Sequence, residues 1–154
     1  MRPTLYLDVD GVLLPLGNGA RQSERLRVGP FYVHFPTELR QLVPALHAAF
    51  EIVWATSWCE EANREVAPLV GLPALPALDV TAHWRKLELV SAHAGIDRPI
   101  AWVDDRLEPE AWEWADARPG ASLLVRPESR RGLTPEHVDE LLGFASAVGR
   151  IASG

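Results

Sequence analysis

The sequence contains very little cysteine, since Cys59 is the only one in 154 residues. One thiol cannot form an internal disulfide and cannot supply a cluster of metal-binding cysteines, so a reducing, cytoplasmic setting fits best. We expect Cys59 to be a small buried residue rather than a nucleophile. Asp8 and Asp10 interrupt the N-terminal apolar run before a signal peptide or a membrane span is complete. We therefore expect no targeting segment and no membrane partner.

Positive charge is also scarce. Lysine and arginine together number 15 against 21 aspartates and glutamates, a formal net charge of -6. This balance argues against a broad, non-specific nucleic-acid footprint. Lys86 is the single lysine of the chain. Because the chain otherwise uses arginine for positive charge, this residue suggests a role that needs a compact ammonium group.

The remaining composition is that of a globular domain. Apolar residues make up 47 % and charged residues 23 % of the chain, which excludes extensive disorder. A chain of this length can bury a core without disulfides, so we predict a single domain over residues 1–154. The oligomeric state is left open.

Predicted strands and helices alternate along the chain. Short apolar runs predict strands at residues 4–9, 51–56, 99–103 and 122–125. Helical spacing and cap residues predict helices at 37–50 with Thr37 as the cap, at 60–69, 84–94 and 109–117, and from Thr134 to a frayed tail. Residues 25–35 predict a hairpin that turns at Gly29 and Pro30. The pattern indicates an α/β fold, a doubly wound, Rossmann-like parallel sheet with a small flap hairpin after the first strand.

Carboxylates follow two of the predicted strands. Asp8 and Asp10 end the first strand, and Asp104 and Asp105 end the strand at residues 99–103. The carboxyl ends of parallel strands face one crevice, where four carboxylates repel one another unless a cation such as Mg2+ lies among them. In an extended segment Asp8 and Asp10 point to the same side, so one can attack while its neighbour exchanges a proton.

Four motifs follow one another in a recognisable order. They are Asp8-Val9-Asp10-Gly11-Val12, Thr56 after an apolar strand, Lys86, and Asp104-Asp105 after another apolar strand. Their order, and their placement at strand ends or helix starts, resemble the haloacid dehalogenase (HAD) superfamily over residues 4–105. Further blocks are similar to the HAD domain of Swiss Army Knife RNA repair proteins. These blocks lie at residues 5–13, 53–58, 61–63, 71–73, 101–105 and 132–134.

The resemblance implies a role for each motif residue. Asp8 would be the nucleophile that forms an aspartyl-phosphate, and Asp10 the general acid and base that serves the leaving group. The implied phosphate-binding residues are Thr56, Ser57, Lys86 and Gly11. The implied metal ligands are Asp8, Asp10, Asp104 and Asp105, and the implied cofactor is Mg2+. An anionic nucleophile that attacks an anionic phosphate needs the positive charge that Mg2+ and a lysine supply.

The same resemblance indicates a capless phosphatase. Members that remove halide lack the second aspartate, so Asp10 favours phosphoryl chemistry. The gaps at residues 13–50 and 58–83, where the superfamily inserts its caps, are already occupied by predicted elements, which leaves no room for a cap domain. Open sites of this kind act on bulky phosphorylated substrates, such as a polymer end or a protein side chain, or use a lid from a partner.

Arginines and tryptophans near the motifs are further candidates. Individually most arginines are solvated surface charges, but seven could rim the site. They are Arg21, Arg25 and Arg27 on the flap, Arg106 beside the acidic pair, and Arg126, Arg130 and Arg131 after the last strand. Core positions are predicted for Trp54, Trp102, Trp112 and Trp114. Trp58 and Trp84 adjoin Thr56 and Lys86, where an indole could stack on a base, although core packing is favoured for them too.

The leading hypothesis is a Mg2+-dependent phosphomonoesterase that works through an aspartyl-phosphate on Asp8. A refined version takes a terminal phosphate of a nucleic acid as the substrate. The alternative is a phosphate-binding or regulatory module that does not turn over. A receiver-type signalling domain is a third hypothesis, and it is disfavoured because Lys86 precedes Asp104, whereas the lysine of a receiver follows its acidic residues.

Overall fold

The computed structural model describes residues 2–17, 19 and 22–153, with the side chains of 152 and 153 left aside. Strands and helices alternate in it. In chain order they are β1 (Thr4–Leu7), β2 (Ser23–Val28), β3 (Phe31–Pro36), α1 (Leu39–Ala49), β4 (Glu51–Trp54), α2 (Glu61–Glu65), α3 (Lys86–Ala94), β5 (Ile100–Val103), α4 (Pro109–Ala117), β6 (Ser122–Val125) and α5 (Pro135–Ser153). Two short 3-10 helices, Ala67–Val70 and His83–Arg85, lie between α2 and α3.

β1 lies inside a four-stranded parallel sheet with the order β4-β1-β5-β6. Tyr6 of β1 pairs with Val53 on one side and with Trp102 on the other. The chain therefore passes from β1 to β4 and then crosses to β5 on the opposite side of β1. Ligands bind beyond the carboxyl ends of the strands at such a reversal. The predicted doubly wound α/β fold is confirmed.

The short strands are buried on both faces because helices cover both sides of the sheet. Leu5 and Leu7 pack into a core with residues of α1, α2 and α5. Tyr6 points the opposite way, into a second core with residues of α3 and α4. This alternation explains why β1 is a continuous apolar run in the sequence, and it fixes which end of the strand carries Asp8.

The predicted flap is an antiparallel hairpin, formed by β2 and β3. Val28 pairs with Phe31 around a turn at Gly29, whose φ is +57°. A positive φ of this kind favours glycine. In the described residues between β1 and α1, this hairpin is the only strand pair, and the segment between β4 and α3 holds only short helices and an isolated bridge from Trp54 to Ala77. No cap domain is inserted within those parts of the chain.

Several local expectations about helix ends are wrong. Thr37 does not cap α1, since the capping position is Glu38 and no side chain bonds the free N–H groups there. The helix predicted at 60–69 is broken into α2 and a 3-10 helix that contains Pro68, because a proline clashes with the preceding α-helical turn. The helix predicted at 84–94 begins with 3-10 geometry at His83.

The cap predicted for the last helix is confirmed. Thr134 caps this helix as predicted, because its Oγ1 accepts a hydrogen bond of 3.3 Å from the His137 N–H. The helix then continues to Ser153, and Gly154, the end of the tail that was predicted to fray, lies outside the described residues. Across the described part of the chain, the helices are too short or too polar to cross a membrane.

The prediction of a core position is confirmed for some of the tryptophans and wrong for others. Trp54 and Trp102 are buried in the two cores as predicted, and Trp114 packs at the edge of the second core. Trp112 and Trp84 are not core residues, since they are 41 % and 84 % exposed. The helices that carry them are short, so the sequence alone does not show which of their faces the sheet covers.

Candidate active site

Three strand ends meet at one edge of the sheet. The backbone N–H groups of Asp8, Ala55 and Asp104 each donate to the last carbonyl of a neighbouring strand, at 2.9 to 3.2 Å. These bonds continue the parallel pairing one residue beyond each strand. The side chains that follow, including Thr56, therefore leave the sheet at the same edge, as the sequence predicts.

Three carboxylates are buried together at this edge. Oxygen atoms of Asp8, Asp104 and Asp105 lie within 4.8 Å of one another, and each residue is at most 6 % exposed. The Lys86 ammonium lies among them, with Nζ 2.7 Å from Asp104 Oδ2 and 3.5 Å from Asp8 Oδ1. One ammonium cannot neutralise three carboxylates, so the ionised cluster keeps an excess of negative charge.

Asp8 shows the effect of this excess most clearly. The pKa of its carboxyl group is raised from 3.8 to about 7, mainly by burial, then by the charge of Asp104 and least by that of Asp105. The Lys86 charge and a hydrogen bond from the Val9 N–H oppose the rise without cancelling it. Without another cation, Asp8 therefore carries a proton over much of the range below neutral pH.

The acidic pair after β5 offers one free oxygen. Asp104 accepts hydrogen bonds at both oxygens, from Lys86 Nζ and from the Arg106 N–H at 2.8 Å. Asp105 accepts a 2.6 Å bond from the Ser129 hydroxyl at Oδ2, but its buried Oδ1 has no partner among the described residues. A buried carboxylate oxygen without a donor is costly, and a hard cation would satisfy it. The donor set therefore fits Mg2+.

Gly11 allows this arrangement sterically. Its φ is +75°, and a β-carbon at this position would overlap the Asp105 carboxylate. The residue thus lets the loop after β1 pass directly against the acidic pair. The phosphate-binding role implied for Gly11 stays a prediction.

The carboxylate of Asp10 is not in the group formed by Asp8, Asp104 and Asp105. The indole Nε1–H of Trp58 donates to both of its oxygens, each at 3.2 Å. Trp58 is half-buried against the core, and its indole N–H is bonded to Asp10. Nothing in the sequence indicates this contact. The role of Asp10 as a metal ligand stays a prediction.

A cavity of about 840 Å3 opens beside Asp10. We call it the Asp10 cavity, and its lining includes Asp10, Leu16, Phe31, Tyr32, Trp58 and Glu65. The flap hairpin supplies one wall, and the segment from β4 to α2 supplies another. A separate cavity, of about 350 Å3, is lined by Lys86, Trp84 and Arg106 among others and shares no lining residue with the Asp10 cavity.

The predicted hydroxyl residues differ in exposure. Thr56 is fully buried, and its Oγ1 accepts a hydrogen bond of 3.2 Å from the Trp58 N–H, which leaves the hydroxyl proton free for another acceptor. Ser57 is exposed and lines the Asp10 cavity. Cys59 is half-buried rather than buried, with a φ of 50° and its Sγ 3.5 Å from the Val80 carbonyl oxygen.

The arginines predicted for the rim mostly have structural contacts. Arg126 donates from Nε to the Asp105 carbonyl at 3.1 Å and so supports the acidic pair. Arg25 lies over the ring of Tyr32, Arg27 bonds the hairpin turn, and Arg131 pairs with Glu128. Arg106 and Arg130 are exposed, and Arg21 lies outside the described residues.

Comparisons with known proteins identify the family of the chain. A family model described as the HAD domain in Swiss Army Knife RNA repair proteins matches residues 4–138. The crystal structure of a hypothetical protein from Xanthomonas campestris is similar in fold, with a TM-score of 0.51 and 17 % identity over 99 % of this chain and 87 % of that one. No curated protein matches significantly in sequence. Because the family model covers the sheet, the flap and all four motifs, the chain belongs to the family of HAD domains found in Swiss Army Knife RNA repair proteins.

Proposed function

We propose that the chain is a Mg2+-dependent phosphomonoesterase that works through an aspartyl-phosphate on Asp8. The observation that carries the proposal is the buried cluster of Asp8, Asp104, Asp105 and Lys86, with one unpartnered oxygen on Asp105. A nucleophile for an anionic phosphate must lie among cations, and this cluster already holds one cation and has the ligands for a second.

Asp8 would begin the reaction. One of its carboxylate oxygens forms a bond to phosphorus while the bond from phosphorus to the leaving oxygen breaks, which leaves the phosphoryl group on Asp8. Water then attacks that phosphorus, inorganic phosphate leaves, and the Asp8 carboxylate is restored. The cluster keeps the Asp8 side chain in place through the Val9 N–H bond at 2.8 Å.

Asp10 would serve the leaving group. It gives a proton to the leaving oxygen in the first step and accepts one from the attacking water in the second. Its carboxylate is held by the Trp58 indole and lines an open cavity, outside the buried acidic group. This separation suits a group that must exchange protons with an alcohol and with water.

The phosphoryl oxygens would be held from two sides. Thr56 has a hydroxyl proton free to donate, and the Lys86 ammonium supplies positive charge. Asp8, Asp104 and Asp105 would hold Mg2+, which supplies charge neutralisation for the transferred group when bound. Lys86 is positioned for its role by the 2.7 Å bond to Asp104.

As the substrate we propose a terminal phosphate of a nucleic acid. The family description, which names RNA repair proteins, supports this class. The described residues carry no cap over the site, and the exposed hairpin leaves room for a bulky substrate. The chain is not broadly basic, so the contact would be restricted to the strand end.

Asp8→Asn should abolish Mg2+-dependent hydrolysis of an aryl phosphate, with a loss of about a thousandfold or more, because the amide cannot form the aspartyl-phosphate. Circular dichroism should show an unchanged fold, and undiminished turnover would contradict the mechanism. If the wild-type chain binds beryllofluoride but hydrolyses no phosphate ester, the alternative of a regulatory module without turnover is supported instead.

A phosphorylated oligonucleotide should be hydrolysed with a higher kcat/KM than the corresponding mononucleotide, since the strand adds contacts outside the phosphate site. The comparison needs both 5′- and 3′-phosphorylated strands at one salt concentration, because ionic strength changes such contacts. Equal values for strand and mononucleotide would remove nucleic-acid ends as the substrate class while leaving the phosphatase proposal in place.

Mg2+ should stabilise the fold more at pH 8 than at pH 5.5. Because the pKa of Asp8 rises from 3.8 to about 7 on folding, the metal-free folded state binds more protons than the unfolded state between these values. The free energy of unfolding of the metal-free protein therefore falls as pH rises through this window. The Asp8 carboxyl accounts for at most about 4 kcal/mol of this fall. Thermal melting of the wild type and of Asp8→Asn, with and without Mg2+, isolates the contribution of Asp8 to the pH dependence of stability. If the metal-free stability of both proteins depended on pH in the same way, the predicted contribution of Asp8 would be wrong.

Trp58→Phe removes the indole N–H that holds Asp10 but keeps an aromatic ring. If Trp58 positions the general acid, kcat/KM should fall about tenfold for an alkyl phosphate and much less for 4-nitrophenyl phosphate, whose leaving group needs little protonation. Trp54→Phe is the matched control, because its indole donates to Asn63 Oδ1 at 2.8 Å, away from Asp10. An equal loss on both esters would show that Trp58 acts only through packing.

A further inference from the structure

The Asp10 cavity has features that the phosphoryl chemistry does not use. Its rim carries three exposed large apolar side chains, Leu16, Phe31 and Tyr32, at 58 %, 58 % and 64 % exposure. Exposed apolar groups that gather at one concave surface mark a binding site more often than isolated ones do. We propose that this cavity binds the nucleobase of a nucleoside that is the leaving group.

The cavity lies where the leaving group of the substrate would be. Asp10 lines it, and Asp10 is the residue that would protonate the leaving oxygen. Ser57, next to the phosphate-binding Thr56, lines it as well. The inference therefore rests on the proposed function, since it places the alcohol part of the substrate in the cavity that Asp10 lines and Lys86 does not.

The walls suit a flat ring. Phe31 and Trp58 meet edge to face, with ring centroids 6.3 Å apart and planes at 64°, so together they form a corner of aromatic surface. Bases stack on aromatic side chains with a gain that varies little among the four bases. The volume of about 840 Å3 is in the range of small-molecule sites and exceeds what a single phenyl ring needs.

The charged residues that line the cavity favour a nucleobase over the ring of a phosphotyrosine. It contains the carboxylates Asp10, Glu61 and Glu65 and no lysine or arginine among the described residues. Carboxylates accept hydrogen bonds from the amino and ring N–H groups of a base, whereas the ring of a phosphotyrosine has no such donors. The same charges repel a second phosphate. A strand attached to the nucleoside would therefore leave the cavity toward solvent.

The test compares adenosine 5′-monophosphate with ribose 5-phosphate, which has the same scissile bond and lacks the base. For the wild-type chain with Mg2+, kcat/KM should be at least about tenfold higher with the base present. Phe31→Ala should lower this ratio about tenfold, and Phe31→Leu should lower it too, while keeping an apolar side chain on the hairpin. Trp112→Ala removes an exposed aromatic ring outside the cavity and should leave the ratio unchanged.

Binding of adenosine alone, measured by calorimetry, separates this inference from the phosphatase proposal. Adenosine should bind and ribose should not, and Phe31→Leu should weaken adenosine binding. If phosphate esters are hydrolysed but the base changes neither kcat/KM nor binding, the cavity inference is wrong and the phosphatase proposal stands. If no ester is hydrolysed but adenosine binds in a Phe31-dependent way, the cavity binds a base as inferred, while the phosphatase proposal fails and the assignment of the base to a leaving group fails with it.

Discussion

The burial of three carboxylates around one ammonium group is the constraint on which the site depends. Asp8, Asp104 and Lys86 are each at most 6 % exposed, and an ion taken out of water loses several kcal/mol unless its neighbours compensate. Lys86 compensates one carboxylate. The folded chain therefore favours either a proton on Asp8 or a second cation, and the pKa of Asp8 is raised to about 7 as a result.

The rest of the structure holds these charges in place by contacts distant in sequence. The loop after β6 docks on the loop after β1 through hydrogen bonds from Leu133 N–H to the Val12 carbonyl at 2.8 Å and from Leu16 N–H to the Ser129 carbonyl at 2.7 Å. Ser129 then also reaches Asp105 with its hydroxyl. One pair of loops thus fixes the segment after β1 and the Oδ2 oxygen of Asp105, and Gly11 makes the close approach possible.

These contacts also mark how far the sequence alone could predict the molecule. The sheet, the flap and the carboxylates at strand ends follow from local signals, because apolar runs and motif order need no knowledge of distant partners. The contact of Trp58 with Asp10 joins residues 48 apart, and nothing in the sequence indicates it. The exposure of Trp84 was missed for a related reason, since a single 3-10 turn has too little periodicity to show which face is covered.

The acidic cluster and the Asp10 cavity differ in the groups that they offer to a substrate. On one side lie Lys86 and the ligands for a metal, which attract a phosphoryl group once the cation is bound. On the other side lie aromatic side chains with Glu61 and Glu65, which accept a neutral group and repel an anion. In the proposed reaction, a phosphate ester would therefore be oriented with its phosphoryl group toward Asp8 and its alcohol toward Asp10. The field of the site would orient the substrate before any covalent step, which is the role that a closing cap serves in a larger enzyme.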